Sequence, residues 1–496
     1  MIRKLLVPNR GEIAIRIART CREMGIVTVI AHSSADAATL AVRNFDQAVD
    51  LGEGEARETY LDVGKVIDAC RRSGADALHP GYGFLSERAE LAAACADQGI
   101  VFVGPPAEAI ELMGSKSDSR ALMEKIGVPV VPGYHGTDQS DETLSREALG
   151  IGFPLLVKAS AGGGGKGMKI VREESELRAA LESARREAGK AFGNERLLLE
   201  RYVEHPRHVE MQVFGDSEGN IVHLFERDCS VQRRHQKIIE ESPAPHYPEP
   251  LRQKMAEAAI AAAGGVGYRN AGTVEFIVTP EREFYFLEMN TRLQVEHPVT
   301  ELVVGVDLVR AQLEVAAGAA LPWTQDELQQ RGHAIECRIY AEDPDRGFLP
   351  QAGTIERYEE PAGPGIRVDS GVETGSLITV RYDPLLAKLI VRAEDRERCI
   401  DRMVRALEEY IILGTATNIP FLHRVLSHPA FRAGEVSTAF IPEHQEGLQR
   451  EGGERAAAVA TLLAELGGGG RRRATADAEV QGSPSVWDLV GSWGRG

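Results

Sequence analysis

The sequence predicts an α/β protein, α+β overall, that opens with a doubly wound parallel sheet and continues into mixed helices and antiparallel hairpins. Three observations carry this. Apolar, β-branched runs alternate with helix-period segments over the first hundred residues. A run of glycines lies between two strand-like stretches. Farther on, two short apolar runs separated by a turn each carry one glutamate among apolar neighbours.

In order, "KLLVPN" and "VTVIAHS" read as strands, and between them Ile13, Ile17, Cys21 and Met24 recur at helical spacing. "DALHP" and "IVFVGP" read as two more strands, with Ser86 placed to cap the intervening helix. These elements define a first domain over 1–114. Its first turn, "NRGEIA", lacks GxGxxG, which disfavours a nicotinamide site. A linking helix is expected over 117–126, within a second region, 115–203, that holds the glycine loop. A third spans 204–445, and 446–496 reads as a flexible tail through "GGGGRRRATADAEVQGSPS".

A length of 496 residues suggests about three domains. The net charge of −17 argues against nucleic-acid binding, which needs a basic surface. None of the six cysteines pairs as CxxC or sits at zinc spacing, so ordinary reduced thiols in a cytoplasmic protein are expected. No signal peptide or long apolar span is visible, and no membrane partner is expected.

The glycine loop, "VKASAGGGGKGMKIV", decides the chemistry. It fails Walker A because Gly167 follows Lys166. It matches GxGxxG at Gly162, Gly164 and Gly167, but a dinucleotide loop must open a helix. Here "MKIV" reads as a strand, and the helix starts near Glu174 or Ser175. A strand–glycine–strand hairpin can fold over phosphates as a mobile lid. Protein kinases also use one, but HRD and DFG are missing. The class left is the ATP-grasp fold, which predicts carboxylates for Mg²⁺ downstream.

"TVEFIVTPEREFYFLEMNTRLQVEHP" supplies them. Glu288 and Asn290 share a strand face, and Glu275 joins them if the two strands pair. Arg292, Gln294 and Glu296 follow at every second residue, so an extended segment would set all three on one side: a fork for a small oxyanion, a neutral donor and a proton acceptor. Gln232, His235 and Lys237 lie in a dense basic stretch between "IVHLFE" and "KIIEES", a plausible phosphate-facing edge. "HAIECRIYAEDP" alternates so that Glu336 and Arg338 share a face, while His333 and Cys337 read as core packing.

The stretches "NRGEIAIRI", "HPGYGFLSE", "KASAGGGGKGM", "ERDCSVQRRHQKIIEESPAP", "EMNTRLQVEHPVTE" and "GHAIECRIYAEDP" resemble, in order over residues 1–445, the biotin carboxylase component of biotin-dependent carboxylases. The resemblance implies ATP-dependent carboxylation of biotin on a carrier protein, with bicarbonate as carbon source and carboxyphosphate as intermediate. It implies that Lys116, Lys158, Gly162, Gly163, Gly164, Gly165, Lys166 and Gly167 contact ATP phosphates. Glu200 and the backbone of Arg201 to Val203 hold adenine, with Ile277 packed on it, and His208 and Gln232 lie along the nucleotide. His235 and Lys237 serve phosphate and bicarbonate. Glu275, Glu288 and Asn290 hold two Mg²⁺ or Mn²⁺ ions. Arg292, Gln294 and Val295 hold bicarbonate, Glu296 is its base, and Arg338 steadies the enolate-like form of biotin.

The implied partners are a biotin carboxyl carrier protein and carboxyltransferase subunits, expected as separate chains because no Met-Lys-Met hairpin or transferase-sized segment is visible. A homodimer is expected, with Arg19, Glu23 and Arg367 as candidate contacts. "RYDPLLAKLI", around Asp383, resembles the acyl-CoA and pyruvate carboxylase versions and leaves the final acceptor open. Two other readings stand beside this one: a different ATP-grasp ligase making an acyl or carbamoyl phosphate, and a non-catalytic ATP-binding subunit.

Overall fold

A computed structural model describes residues 1–160, 168–234 and 236–449. The glycine loop at 162–167 with Lys166, His235, and the tail from 450 onward lie outside the described residues. Residues Met1–Leu448 form one compact unit.

The first domain holds strands β1 (Lys4–Val7), β2 (Val27–His32), β3 (Gln47–Asp50), β4 (Ala77–Leu78) and β5 (Val101–Phe102), all parallel, in the order β3-β2-β1-β4-β5. This is the doubly wound sheet that the alternation predicts. Helix α1 (Gly11–Glu23) buries Ile13, Ile17 and Cys21 and ends at Met24. Ser86 does not cap the next helix: it sits in a tight turn, its N–H donating to Gly83 O, and the helix starts at Ala89. The linking helix runs Lys116–Lys125, with the Ser115 hydroxyl accepting from Asp118 N–H.

A four-stranded antiparallel sheet follows: β6 (Gly133–Tyr134), β7 (Leu155–Ala159), β8 (Lys169–Val171) and β9 (Leu197–Arg201), ordered β6-β9-β7-β8. The β7–β8 pairing gives the strand–glycine–strand arrangement, and the next helix starts at Glu174. This sheet packs its own core, including Leu144, Leu155, Val157, Val171, Leu177 and Leu199.

The scaffold of the site is an eight-stranded antiparallel sheet. It contains β10 (Arg207–Gly215), β11 (Ile221–Arg233), β12 (Gln236–Ser242), β13 (Asn270–Val278), β14 (Phe284–Asn290), β15 (His333–Tyr340) and strands Leu385–Ala393 and Ile366–Ser370. Their order is β14-β13-β10-β11-β12-β15, then Leu385–Ala393, then Ile366–Ser370. The first domain is sealed to it by a shared core in which Ile13, Ile17 and Ile30 join Phe214, Leu224, Val309 and Leu313. All six cysteines are free and buried. Among the described residues, no helix is long and apolar enough to cross a membrane.

Candidate active site

Strand register alone builds a row of charge. Arg227 on β11 faces Glu210 on β10, which faces Glu275 on β13, which faces Glu288 on β14. Directly opposed residues share a sheet face, so four adjacent strands present +, −, −, − in line. The last member depends on a bulge. Phe276 pairs with Phe286, so an unbroken ladder would set Leu287 opposite Glu275; the extra residue brings Glu288 there instead.

Such a row is tolerated only with nearby cations. Lys237, from β12, donates to Glu210 Oε2 at 2.6 Å, Glu275 Oε1 at 2.8 Å and Glu296 Oε1 at 2.7 Å. Arg338, from β15, donates from Nη2 to Glu296 Oε2 at 2.9 Å and from Nε to Glu240 Oε1 at 2.6 Å. Arg227 is fully buried and holds Glu210 Oε1 at 2.5 Å. Burial raises the Glu296 carboxyl, but Lys237, Arg338 and Arg227 outweigh it and hold the group ionised, well below the usual range. Burial, only partly offset by Arg338, pushes the Glu240 carboxyl up to about 7.

The Glu275 carboxylate is saturated. Its Oε1 also accepts from Asn290 Nδ2 at 2.9 Å and Gln294 Nε2 at 3.0 Å, and its Oε2 lies 2.8 Å from His208 Nε2. The pull of Glu275 overcomes burial and raises the His208 imidazole above its ordinary value. Glu288 contrasts with this: it is exposed at the cavity wall and makes no hydrogen bond or ion pair with a described residue, and desolvation by the surrounding groups together with repulsion from Glu275 raises its carboxyl. An unpartnered carboxylate beside a second one and the Asn290 amide is a hard-oxygen donor set that fits Mg²⁺ or Mn²⁺.

A cavity of about 560 Å³ opens against this cluster. It is lined by Lys116, Lys158, Glu200, His208, Gln232, Lys237, Glu275, Glu288, Asn290, Arg292, Gln294, Val295 and Arg338, all expected from the sequence. Glu296 is wholly buried behind it and touches it through Lys237 and Arg338. At the other end the Glu200 carboxylate pairs with Lys158 Nζ at 2.5 Å and with Arg120, so its side chain orients cations. Arg201, Val203 and Ile277 are not among the residues lining this cavity; Arg201 N–H donates to Pro132 O, and Ile277 registers with His208.

Several expectations need correction. Residues 292–296 bend and turn rather than extend, because Glu296 (φ −81°, ψ 12°) already starts helix His297–Val304. The side chains still converge, since Arg292 Nη2 donates to Asn290 Oδ1 at 3.1 Å and Gln294 reaches Glu275. His333 is not plain core packing: its Nε2 lies 2.8 Å from Glu241 Oε2, which also accepts from Arg396 Nε at 2.7 Å. Cys337 does lie in the core. Apart from these corrections, the candidate dimer contacts Arg19, Glu23 and Arg367 also make ion pairs within the chain, with Asp369, Arg310 and Glu301, and the side chains of Arg19 and Glu23 stay about half exposed, which is compatible with a contact to a second copy. The sequence reading passed over Glu210, Arg227, Glu240 and Arg120. Glu210 had a signal: His208, Glu210 and Gln212 alternate along one strand as polar residues in an apolar run.

Three family models match in order: "Biotin carboxylase, N-terminal domain" over 1–110, "Carbamoyl-phosphate synthase L chain, ATP binding domain" over 115–324, and "Biotin carboxylase C-terminal domain" over 336–443. The chain is 54% identical to the mitochondrial methylcrotonoyl-CoA carboxylase subunit alpha of Dictyostelium discoideum over 90% of its own length, and spans 64% of that relative. It is 50% identical to a biotin carboxylase of Nostoc, with 89% of this chain and 98% of that one covered. Among solved structures, it matches the biotin carboxylase domain dimer of Hydrogenobacter thermophilus 2-oxoglutarate carboxylase, in complex with MgADP, ADP and bicarbonate. The TM-score is 0.87 at 46% identity, covering 91% of this chain and all of that one. It also matches Campylobacter jejuni biotin carboxylase in a β,γ-ATP complex, with a TM-score of 0.86 at 44% identity, covering 90% and 99%.

Proposed function

The chain belongs to the biotin carboxylase family, and from that premise we propose that it carboxylates biotin on a carrier protein with bicarbonate and ATP. The observation that carries the reading is the Lys237 ammonium gathering Glu210, Glu275 and Glu296, with Arg338 on the other oxygen of Glu296, at the edge of a cavity that also presents Lys116 and Lys158.

In this reading Lys116, Lys158, His208, Gln232 and the glycine loop 162–167 with Lys166 bind the nucleotide; His235 assists phosphate, and Glu200, Arg201, Val203 and Ile277 form the adenine end. Arg292, Gln294 and Val295 hold bicarbonate. Glu296 takes its proton, and the resulting oxygen attacks the γ-phosphorus while ADP leaves. Carboxyphosphate then breaks to CO₂ and phosphate, the phosphate accepts the biotin N1′ proton, and Arg338 steadies the oxyanion before N1′ attacks CO₂. Glu275, Glu288 and Asn290 would hold Mg²⁺ or Mn²⁺, whose charge offsets that of the phosphate oxygens.

The partners proposed are a biotinylated carrier, a carboxyltransferase and a second copy of the chain. Six free buried thiols support a reducing compartment such as the cytoplasm. The test is ADP release and carboxybiotin formation with free biotin, bicarbonate and Mg²⁺. Both should rise together with biotin; ADP release indifferent to bicarbonate would overturn the reading.

A further inference from the structure

Lys388 is a wholly buried lysine that none of the roles above uses. It lies on strand Leu385–Ala393, directly opposite Arg338 on one side and Asp369 on the other. Its Nζ donates to the carbonyl of Val295 at 2.9 Å. It also lies 3.3 Å from Glu12 Oε2 on α1 of the first domain and 3.9 Å from Asp369 Oδ2. Glu12 is buried, makes no hydrogen bond from either oxygen among the described residues, and has Lys388 as its ion-pair partner there.

The Val295 carbonyl belongs to the planar peptide unit that also contains the nitrogen and Cα of Glu296. Fixing that oxygen fixes the plane, and with it the point from which the Glu296 side chain departs. The constraint matters because residues 292–296 are an irregular bend without ladder hydrogen bonds to hold them. A buried ammonium is costly without counter-charge: Asp369 faces it from the neighbouring strand and Glu12 approaches closer from another domain, its carboxyl raised by burial to about 7 against the pull of Lys388.

We propose that Lys388 is a positioning residue for Glu296, clamping the Val295–Glu296 peptide, and that Glu12 is the buried counter-charge that keeps the clamp in place. The proposal rests on Glu296 being the base. Its geometry makes the first domain a contributor to the catalytic turn through one helix-borne carboxylate.

Lys388→Met removes the donor at similar volume but strands the buried Glu12 carboxylate, so that variant is expected to be destabilised. The pair Glu12→Gln/Lys388→Met removes both charges together and leaves no stranded ion. The double variant is expected to melt near the parent and to bind ADP with the parent's affinity. Its kcat for carboxybiotin formation from free biotin should fall about 10²-fold, the scale of a misplaced catalytic group, while KM for ATP stays unchanged. Lys388→Arg, which keeps a donor and a charge, should recover part of the rate. A double variant that folds and turns over at the parent kcat overturns the clamp. Glu296→Gln, measured alongside, separates the two ideas: if it is slow while the double variant is fast, only the clamp fails, and if it is as fast as the parent, the base assignment fails first.

Discussion

Glu296 combines two properties that usually conflict: it has no solvent exposure and yet is ionised. Lys237 and Arg338 reconcile them, one on each oxygen. On the proposed reading, an anion that competes for the Lys237 ammonium weakens that hold and makes the carboxylate more basic when bicarbonate arrives. Glu296→Gln keeps length and hydrogen bonding but cannot accept the proton. Biotin-dependent ADP release should fall by about 10²–10⁴-fold, with ADP affinity near the parent's by calorimetry; parent-like carboxybiotin formation would place the base elsewhere. Glu288 makes a different claim, because its carboxylate has no partner among the described residues while that of Glu275 has four. Glu288→Gln should lower activity sharply at low Mg²⁺ and regain part of it as Mg²⁺ or Mn²⁺ is raised. Equal activity at every Mg²⁺ concentration would remove Glu288 from the metal set.

At the scale of elements, period and spacing were legible where the backbone is regular. The 3.6-residue recurrence of Ile13, Ile17 and Cys21 gave α1, and the apolar runs "TVEFIV" and "EFYFLEMN" gave the β13–β14 hairpin, but not the register that sets Glu275 against Glu288. The bulge at Leu287 and the turn at Val295–Glu296 were not legible, since each depends on packing against neighbouring strands rather than on local propensity. Cross-strand company was also hidden: His333 opens the largely apolar β15, yet it meets Glu241 on β12, a carboxylate shared with Arg396 at the start of helix Arg396–Glu409. That joint has a pH signature. Burial raises the Glu241 carboxyl, but His333 and Arg396 together bring it down from 4.5 to about 2. A depressed folded value means the stabilisation is fully present above about 4.5 and is lost as pH falls toward 2. At ~1.4 kcal/mol per unit it is worth about 3 kcal/mol near neutrality. Glu241→Gln should therefore lower Tm at pH 7, and the gap from the parent should narrow steadily between pH 4.5 and 3. A gap independent of pH would show that packing, not charge, holds the joint.

At the scale of the whole molecule, the cores decide what can open alone. The first domain shares a hydrophobic cluster with the eight-stranded sheet, so separating them would expose Phe214 and Leu224 together with Ile13 and Ile17. The region carrying β6 to β9 differs: the buried residues of its core all lie between Leu144 and Leu199 and are closed by its own two helices, Asp141–Ile151 and Glu174–Phe192. A segment that keeps its apolar contacts internal can unfold without exposing its neighbours' surface, at a free energy below the global one. Amides of β7 and β9 should therefore exchange hydrogen through an opening with a smaller denaturant dependence, and at lower free energy, than amides of β1, β2, β10 and β13. Native-state exchange resolved by peptide and mass spectrometry measures both quantities. The same slope and the same free energy in all six strands would mean that Met1–Leu448 opens only as one body. That result would also remove the physical basis for treating residues 133–201 as a part that moves over the nucleotide while the catalytic row on the large sheet stays fixed.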